Sequence, residues 1–319
     1  MAHEIGPRQR WAWLAGGLSA AVAACACGIG WVWVLAGGLA GCAYYLYIDR
    51  KLPDCGLAPL LSAPSAVLSW LWTAAALAWA ANLADQAFPM VDGYPLLGWV
   101  MLALAAWGSW KGAGSCARCA GVLCLFLMVL YGIIAVFAVP DIQWKNLRPT
   151  GSWMDGAWVL GLFLLPAAVW YGPVSRRAGK PVWGMVLLLP LAAAALSAVT
   201  AGVLSPRLAA SLPVPLYALA ESVSLFGVIE RMEPLLSAAI TMGVFCLLSA
   251  MASGCRILAE RFRLGRWGGA AACVLAAALM GPAREIGLPE ITVGGVILWG
   301  ILPLLALYRT GRRKANKPL

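Results

Sequence analysis

The 319-residue sequence has little charge and almost no histidine. Charged residues make up 11% of the chain and apolar residues 62%, a balance that excludes a soluble globular protein. Because His3 is the single histidine, neither a metalloprotease H-E-x-x-H pair nor a histidine-based catalytic triad can form. A G-x-x-x-x-G-K-[S/T] phosphate loop is also missing, so this chain alone is not an ATP-driven motor. We therefore expect no enzymatic activity, no catalytic residue and no cofactor.

Long apolar stretches are what the chain has in abundance. Ten of them follow one another, each about 15–24 residues long, which is the length of a membrane-spanning helix. They cover residues 11–28, 30–48, 66–86, 96–110, 116–139, 156–171, 183–203, 234–255, 267–281 and 291–307. The sequence therefore predicts an all-α polytopic membrane protein with ten transmembrane helices, surrounded by the lipid bilayer.

The positive charges indicate how these helices are oriented. Of the 23 Lys and Arg residues, 18 lie in every second gap between the stretches and five in the other gaps. Since cytoplasmic loops carry an excess of Lys and Arg, both termini and the 176–180 loop should be cytoplasmic, whereas segments 141–151 and 204–227 should face outward. The basic clusters are short and lie at helix ends beside lipid headgroups. We therefore expect a cell (inner) membrane protein without a nucleic-acid partner.

Cysteine and tryptophan are numerous, and both fit a membrane setting. Apolar stretches contain Cys25, Cys27, Cys42, Cys124, Cys246 and Cys273, where a thiol acts as a small apolar group. Cys116 and Cys119 form an isolated C-x-x-C without a second pair or a nearby histidine, so we expect no metal site and no disulfide framework. Twelve of the 17 tryptophans lie near stretch ends, which predicts interfacial belts. They are Trp11, Trp13, Trp31, Trp33, Trp70, Trp72, Trp110, Trp144, Trp153, Trp170, Trp183 and Trp267.

Two stretches are interrupted by glycine or proline. In the first, Gly16 and Gly17 followed by Ser19 either loosen the helix or provide a small-residue face for close packing. In the sixth, Pro166 removes an internal hydrogen bond, so the helix should kink or break between Gly161 and Pro166, close to the first span. Backbone unwound at that depth must be buried in protein or line a cavity.

Interrupted helices at the first and sixth positions indicate two inverted five-span repeats with a site between them near the midplane. The repeats would cover residues 11–139 and 156–307 of one membrane domain, followed by a basic cytoplasmic tail at 308–319. Asn82 lies within the third stretch, and embedded polar side chains usually face the bundle interior, whereas Asp85 lies nearer the interface. The candidate ligand-binding residues are Gly16, Gly17, Ser19, Asn82, Gly161 and Pro166.

The outward segment before the eighth stretch has a pattern of its own. Its apolar residues recur at helical spacing, which predicts a helix lying in the membrane interface. They are Leu216, Leu219, Val223 and Phe226. Farther along, the positive end of a helix dipole favours Glu230 and Glu233 but not Arg231. We therefore expect Arg231 to pair with an acid or a carbonyl, and to hold the interfacial helix as a lid or a partner surface.

Short motifs in these regions resemble those of a known family. Asn146, Pro149 and Gly151 lie in an Asn-Leu-Arg-Pro-Thr-Gly stretch before the sixth span, and Tyr217 ends a Leu-Pro-Val-Pro-Leu-Tyr stretch. Glu-Arg-Met-Glu at 230–233 precedes the eighth span, and residues 44–53 and 112–122 give weaker matches. In order and spacing, the motifs resemble the B subunits of spore germination receptors, within the amino acid–polyamine–organocation (APC) permease superfamily.

The resemblance implies a LeuT/APC-like 5+5 inverted repeat with broken spans 1 and 6. It also implies the permease-like subunit of a nutrient-germinant receptor, which senses a small molecule such as an amino acid in the spore inner membrane. Its partners would be a soluble-domain subunit and a lipoprotein subunit. A secondary amino acid transporter and a degenerate, non-binding scaffold are the alternatives. The family's usual acid in the middle of span six is missing from residues 161–168, so a polar ligand would depend on backbone groups there.

Overall fold

The computed structural model describes residues 5–51, 56–87, 96–172, 183–212, 214–222 and 233–315, and their regular structure is helical. The α-helices are α1 (Pro7–Cys25), α2 (Trp31–Lys51), α3 (Ala63–Ala87), α4 (Leu96–Lys111), α5 (Ala113–Ala138), α6 (Trp153–Leu164), α7 (Trp183–Leu204), α8 (Pro206–Ser211), α9 (Pro215–Ser222), α10 (Glu233–Ala259), α11 (Trp267–Ala283), α12 (Leu288–Gly295) and α13 (Leu302–Ala315). Eight helical segments are long and apolar enough to cross a membrane. The predicted all-helical, multi-pass membrane protein is confirmed.

Two of the ten predicted spans are short in the structure. α4 has 16 residues and α11 has 17, whereas a helix perpendicular to the bilayer needs about 20 residues to cross its apolar core. Both pack against α3 and α10 inside the bundle. The number of ten transmembrane helices therefore stays a prediction, and eight of the described helical segments have the length and composition needed to cross a membrane.

The predicted interruption of the first span is wrong. α1 is continuous through Gly16 and Gly17, and it changes to a 3-10 turn only at Ala26–Gly28. The two glycines instead let α1 approach α10 closely. A Cβ atom on Gly16 would lie 3.0 Å from Cys246 Sγ, and one on Gly17 would lie 3.2 Å from Leu247 Cα. Small residues permit such close helix packing, which was the second of the two sequence interpretations.

The sixth span changes its helix type where the sequence predicts a break. α6 ends at Leu164, and the chain continues as a 3-10 helix over Leu165–Tyr171. Pro166 lies in the first turn of that segment and has no N–H, and the Phe163 carbonyl three positions earlier accepts from the Tyr45 hydroxyl instead. Every residue from 161 to 171 is buried. The backbone is therefore tightened rather than unwound, and it is buried in protein as such a segment must be.

α10 is the central helix of the bundle, in contact with α1, α3, α4, α5 and α11. Small residues make these contacts possible. A Cβ atom on Gly243 would lie 2.8 Å from Ser19 Oγ, and one on Gly254 would lie 2.6 Å from Ala168 Cβ. α10 thereby carries both the first span and the 3-10 end of the sixth span against its surface.

Two features lie outside this centre. The predicted amphipathic helix before α10 is present as α9, with Leu216 and Leu219 fully buried against the bundle, while Val223 and Phe226 lie outside the described residues. In the last span, α12 and α13 are joined by a π-helix over Val296–Ile301. The Tyr44 hydroxyl donates to the carbonyls of Trp299 and Gly300 in that segment, at 2.5 and 3.2 Å.

Candidate functional site

α1, α5, α6 and α7 line a cavity of about 250 Å³, which we call the Ser19 cavity. Alanine and glycine positions on α1, α5 and α7 leave this space open, because their side chains are too small to fill it. The lining residues are Ala15, Leu18, Ser19, Val22, Met128, Tyr131, Gly132, Ala135, Phe163, Leu189, Ala192, Ala193, Ala195 and Leu196. None of these residues is charged.

Two hydroxyl groups provide the side-chain polarity of the Ser19 cavity. Ser19 Oγ donates to the Gly16 carbonyl at 2.6 Å, so its remaining capacity is to accept hydrogen bonds. The Tyr131 hydroxyl is buried beside Ser19. A small apolar molecule with one hydrogen-bonding group therefore matches the lining. A zwitterion would have to lose the hydration of two charges with no opposite charge among the lining side chains, which is costly.

Phe163 brings the sixth span to this cavity, and α2 holds it there. The Tyr45 hydroxyl donates a hydrogen bond to the Phe163 carbonyl. Gly38 and Gly41 of α2 face the same residue: a Cβ atom on Gly38 would lie 2.9 Å from Phe163 Cζ, and one on Gly41 would lie 2.6 Å from Phe163 Cβ. The ring position is thus fixed by two glycines and one hydroxyl of the second span.

Of the six candidate ligand-binding residues, Ser19 alone lines the cavity. Gly16 and Gly17 pack on α10, and Gly161 packs on α12, where a Cβ atom would lie 2.3 Å from Thr292 Cβ. Pro166 is buried in the 3-10 segment. Ligand contact by these residues, and by Asn82, stays a prediction.

Asn82 connects helices at the far end of α3. It is 4% exposed, and its Nδ2 donates to the Met280 carbonyl of α11 at 3.2 Å. One turn later, Asp85 accepts a hydrogen bond from the Gly98 N–H of α4 at 2.9 Å. The two side chains therefore join α3 to α4 and α11. Asp85 is half-buried, and its expected place nearer the membrane interface stays a prediction.

The motif before the sixth span organises the chain around α6. Asn146 Nδ2 donates to the Gly202 carbonyl of α7 at 3.1 Å, and the Leu147 carbonyl accepts from Trp31 Nε1 at 3.0 Å. Gly151 has a φ of +94°, a conformation that favours glycine, and α6 starts two residues later. Pro149 is exposed between them. This motif joins α2, α6 and α7 rather than contacting the cavity.

The second motif is described only in part. Tyr217 is half-buried on α9, and Glu233 is the first residue of α10. Glu230 and Arg231 lie outside the described residues, so the expected pairing of Arg231 stays a prediction. α9 packs against α1, α7 and α10, which is a position from which it can cover the first span.

A buried cluster around Arg10 escaped the sequence interpretation. Arg10 is 2% exposed, donates from Nη1 to Asp49 Oδ1 at 3.3 Å, and lies with Cζ 4.6 Å from the centre of the Trp170 ring. The Trp11 ring contacts the Tyr45 and Trp170 rings, with centroids 6.2 and 6.1 Å away. The belt prediction is therefore wrong for Trp11 and Trp170, which are 1% exposed, and for Trp13, which is equally buried. Position near a stretch end does not tell which tryptophans a neighbouring helix covers.

Comparison with known proteins supports the fold. No protein-family model matches the sequence. No curated protein matches it either. Among solved structures, the chain is similar to the substrate-bound outward-open state of a Na⁺-coupled sialic acid symporter, with a TM-score of 0.59 and 11% identity. The match covers 95% of this chain and 79% of the symporter chain. The protein therefore has a transporter-like fold.

Proposed function

We propose that this protein is the permease-like subunit of a nutrient-germinant receptor and binds a small molecule in the Ser19 cavity. The observation that carries the proposal is that α1 and α6, the two spans that the sequence analysis singles out by their glycine and proline residues, both contribute to one uncharged cavity. The transporter-like fold and the motifs around Asn146 and Glu233 support the same assignment. We also propose that the chain has ten transmembrane helices in two inverted five-span repeats, with both termini in the cytoplasm.

The lining favours a particular class of ligand. With Ser19 and Tyr131 as its polar groups, the cavity suits a small, largely apolar molecule with one donor or acceptor. An amino acid with an apolar side chain would also need partners for its charged amino and carboxylate groups. Backbone atoms of this chain, or groups of a partner subunit, would have to provide them. Recognition of the apolar part is thus the step that this chain performs in the receptor.

A cavity-filling substitution tests ligand binding. Ala192→Leu adds three carbon atoms at the wall of the Ser19 cavity and should abolish saturable binding of apolar candidate ligands to the purified protein. Ala103→Leu on the exposed surface of α4 is the matched control and should bind normally. Binding that survives Ala192→Leu unchanged would place the ligand elsewhere.

The alternative is a secondary transporter, which the similarity to a symporter fold favours. The two functions differ in what the isolated chain can do. In vesicles containing only this protein, a transporter would accumulate a labelled apolar amino acid, whereas a receptor subunit would bind it without uptake. A receptor subunit should also co-purify with a soluble-domain subunit and a lipoprotein subunit. A chain that keeps its partner surface but binds no ligand would be the non-binding scaffold.

A further inference from the structure

A second cavity lies at the end of the bundle that carries the N-terminus. It has a volume of about 240 Å³ and lies between the start of α5, the 3-10 end of the sixth span and the last turns of α10. We call it the α5 cavity. No residue lines both it and the Ser19 cavity. We propose that the α5 cavity binds a phosphate-type anion, and this proposal does not depend on the function of the Ser19 cavity.

Two cations line the α5 cavity. Arg256 is fixed there because its Nη1 donates to the carbonyls of Ser109 and Trp110 at the end of α4, at 2.6 and 3.2 Å. Lys111, the last residue of α4, is exposed at the same wall. Glu260 is the single acid among the lining residues, so the side chains give the cavity a net positive charge.

The start of α5 adds backbone donors. α5 is 26 residues long, and its N-cap is Gly112, which has a φ of +111° and no side chain to accept from the first N–H groups. The first N–H groups of a helix have no partner within the helix, and they point along the positive end of its dipole. The Gly112 N–H donates to the Gly108 carbonyl of α4, and the Ser115 N–H donates to the Gly112 carbonyl. Ala113 and Gly114, which both line the cavity, therefore hold the N–H groups that are left for a ligand. A helix start of this kind binds anions when cationic side chains stand beside it.

A buried hydroxyl group gives independent evidence for an occupant. Ser253 is 3% exposed and lines the α5 cavity, and its Oγ has no hydrogen-bond partner. The Cys116 thiol lies beside it, but a thiol is a weak partner. A buried polar group without a partner is unfavourable, so this position calls for an acceptor from outside the chain. An anionic oxygen satisfies it.

The number and kinds of donors favour phosphate. The lining residues from α4, α5 and α10 provide guanidinium, ammonium, backbone N–H and hydroxyl donors, which suits a group with three or four acceptor oxygens. The apolar part of the lining includes Trp13, Val169 and Ile257. The volume also far exceeds the 10–15 Å³ or so that one water molecule requires. The headgroup of an anionic phospholipid and a soluble phosphate compound both have this chemistry.

Thermal unfolding of the full-length protein in an uncharged detergent tests the proposal. Inorganic phosphate and phosphatidylglycerol are titrated separately, with phosphatidylcholine and sodium chloride of equal ionic strength as references. We expect a saturable rise in the unfolding temperature with at least one of the two anionic probes. Saturation with phosphate identifies a soluble ligand as sufficient, and saturation with phosphatidylglycerol alone identifies the lipid headgroup.

Two variants make the result specific. Ser253→Ala and Lys111→Gln should each weaken the apparent affinity about tenfold, the effect of losing one hydrogen bond to a charged group. Arg263→Gln removes an exposed cation outside the lining and should leave the affinity unchanged. Without anion, Ser253→Ala should be at least as stable as the wild type, so a weakened response is not a folding defect. No saturable effect of either probe, or equal weakening by Arg263→Gln, would overturn the proposal.

Discussion

Arg10 shows how a single residue can differ from the pattern that contains it. By sequence it belongs with the basic residues that flank apolar stretches and meet lipid headgroups. In the structure it is buried between Asp49 and the Trp170 ring. These partners are 39 and 160 positions away in the chain, so no local pattern could have indicated them. A buried guanidinium needs such partners because an uncompensated charge is strongly unfavourable away from water.

Removing the partner charge should therefore destabilise the protein. Asp49→Asn leaves Arg10 buried without its carboxylate, and we expect a loss of about 2 kcal/mol, below the roughly 3–5 kcal/mol of a fully buried pair because Asp49 is partly exposed. Thermal unfolding of the purified protein measures the loss. Asp141→Asn, at an exposed acid, is the control and should change little. Equal stability of Asp49→Asn and the wild type would mean that Trp170 alone is sufficient for Arg10.

The tryptophans that were predicted to form interfacial belts include both exposed and buried residues. Trp144, Trp153 and Trp267 are more than half exposed, as an interfacial belt requires. Trp13 instead is buried and donates from Nε1 to the Cys246 carbonyl and Ser249 Oγ, both at 3.0 Å. The sequence reveals that an indole lies near a span end, but only the packing of α1 on α10 decides whether it meets lipid or protein.

At the scale of elements, glycine decides how closely helices approach. Gly161→Ala would place a Cβ atom 2.3 Å from Thr292 Cβ and should force α6 away from α12, at a cost of about 1–3 kcal/mol. Gly121→Ala on α5 is the matched control, because nothing lies within 4 Å of the new Cβ. That change should be neutral or stabilising by up to about 1 kcal/mol, since alanine favours helix. Comparing the unfolding temperatures of the two variants checks both expectations, and similar destabilisation by both would contradict them.

Glycine and proline positions explain which predictions about the helices were correct. Apolar length and composition predict where the helices lie, because a bilayer-spanning segment has few other ways to satisfy its backbone. The change at Pro166 was also predictable, since proline cannot donate within a helix. Gly16 and Gly17 were ambiguous, because glycine both loosens a helix and permits close packing. The surface of α10 that faces them settles the matter, and that surface is more than 200 residues away in sequence.

At the scale of the whole molecule, the orientation in the membrane stays a prediction from the 18-to-5 division of positive charge. In a variant without native cysteines, Arg148→Cys should react with an impermeant maleimide in intact cells, because its gap is predicted to face outward. Lys111→Cys should react only after the cells are opened. Both positions are exposed, so accessibility in the fold does not limit the reaction. The reverse labelling pattern would invert the topology.

The fold was more predictable than the site. Hydropathy and motif order lead to a transporter-like helical bundle, and a solved symporter has a similar fold. The Ser19 cavity combines residues from four helices, and of the six residues named from the sequence only Ser19 lines it. Most of its other lining residues are alanines and leucines, which are residue types that also face lipid. A cavity of this kind cannot be recognised in a sequence. It consists of space that small side chains leave empty, and no residue type is specific to it.

The π-helix of the last span contains an extra residue. Between α12 and α13 the chain holds one residue more than an α-helix over the same rise, and each residue turns an α-helix by about 100°. Deleting one residue within the π-helix would restore an α-helix over the same rise and leave α13 in its orientation, but the Trp299 and Gly300 carbonyls would lose the wide turn that presents them to the Tyr44 hydroxyl. Deleting one residue from α12 instead would turn the following part of the span by about 100° and carry the exposed Ile301 and Leu305 round the axis. The π-helix is therefore the place where the last span can lose a residue without turning.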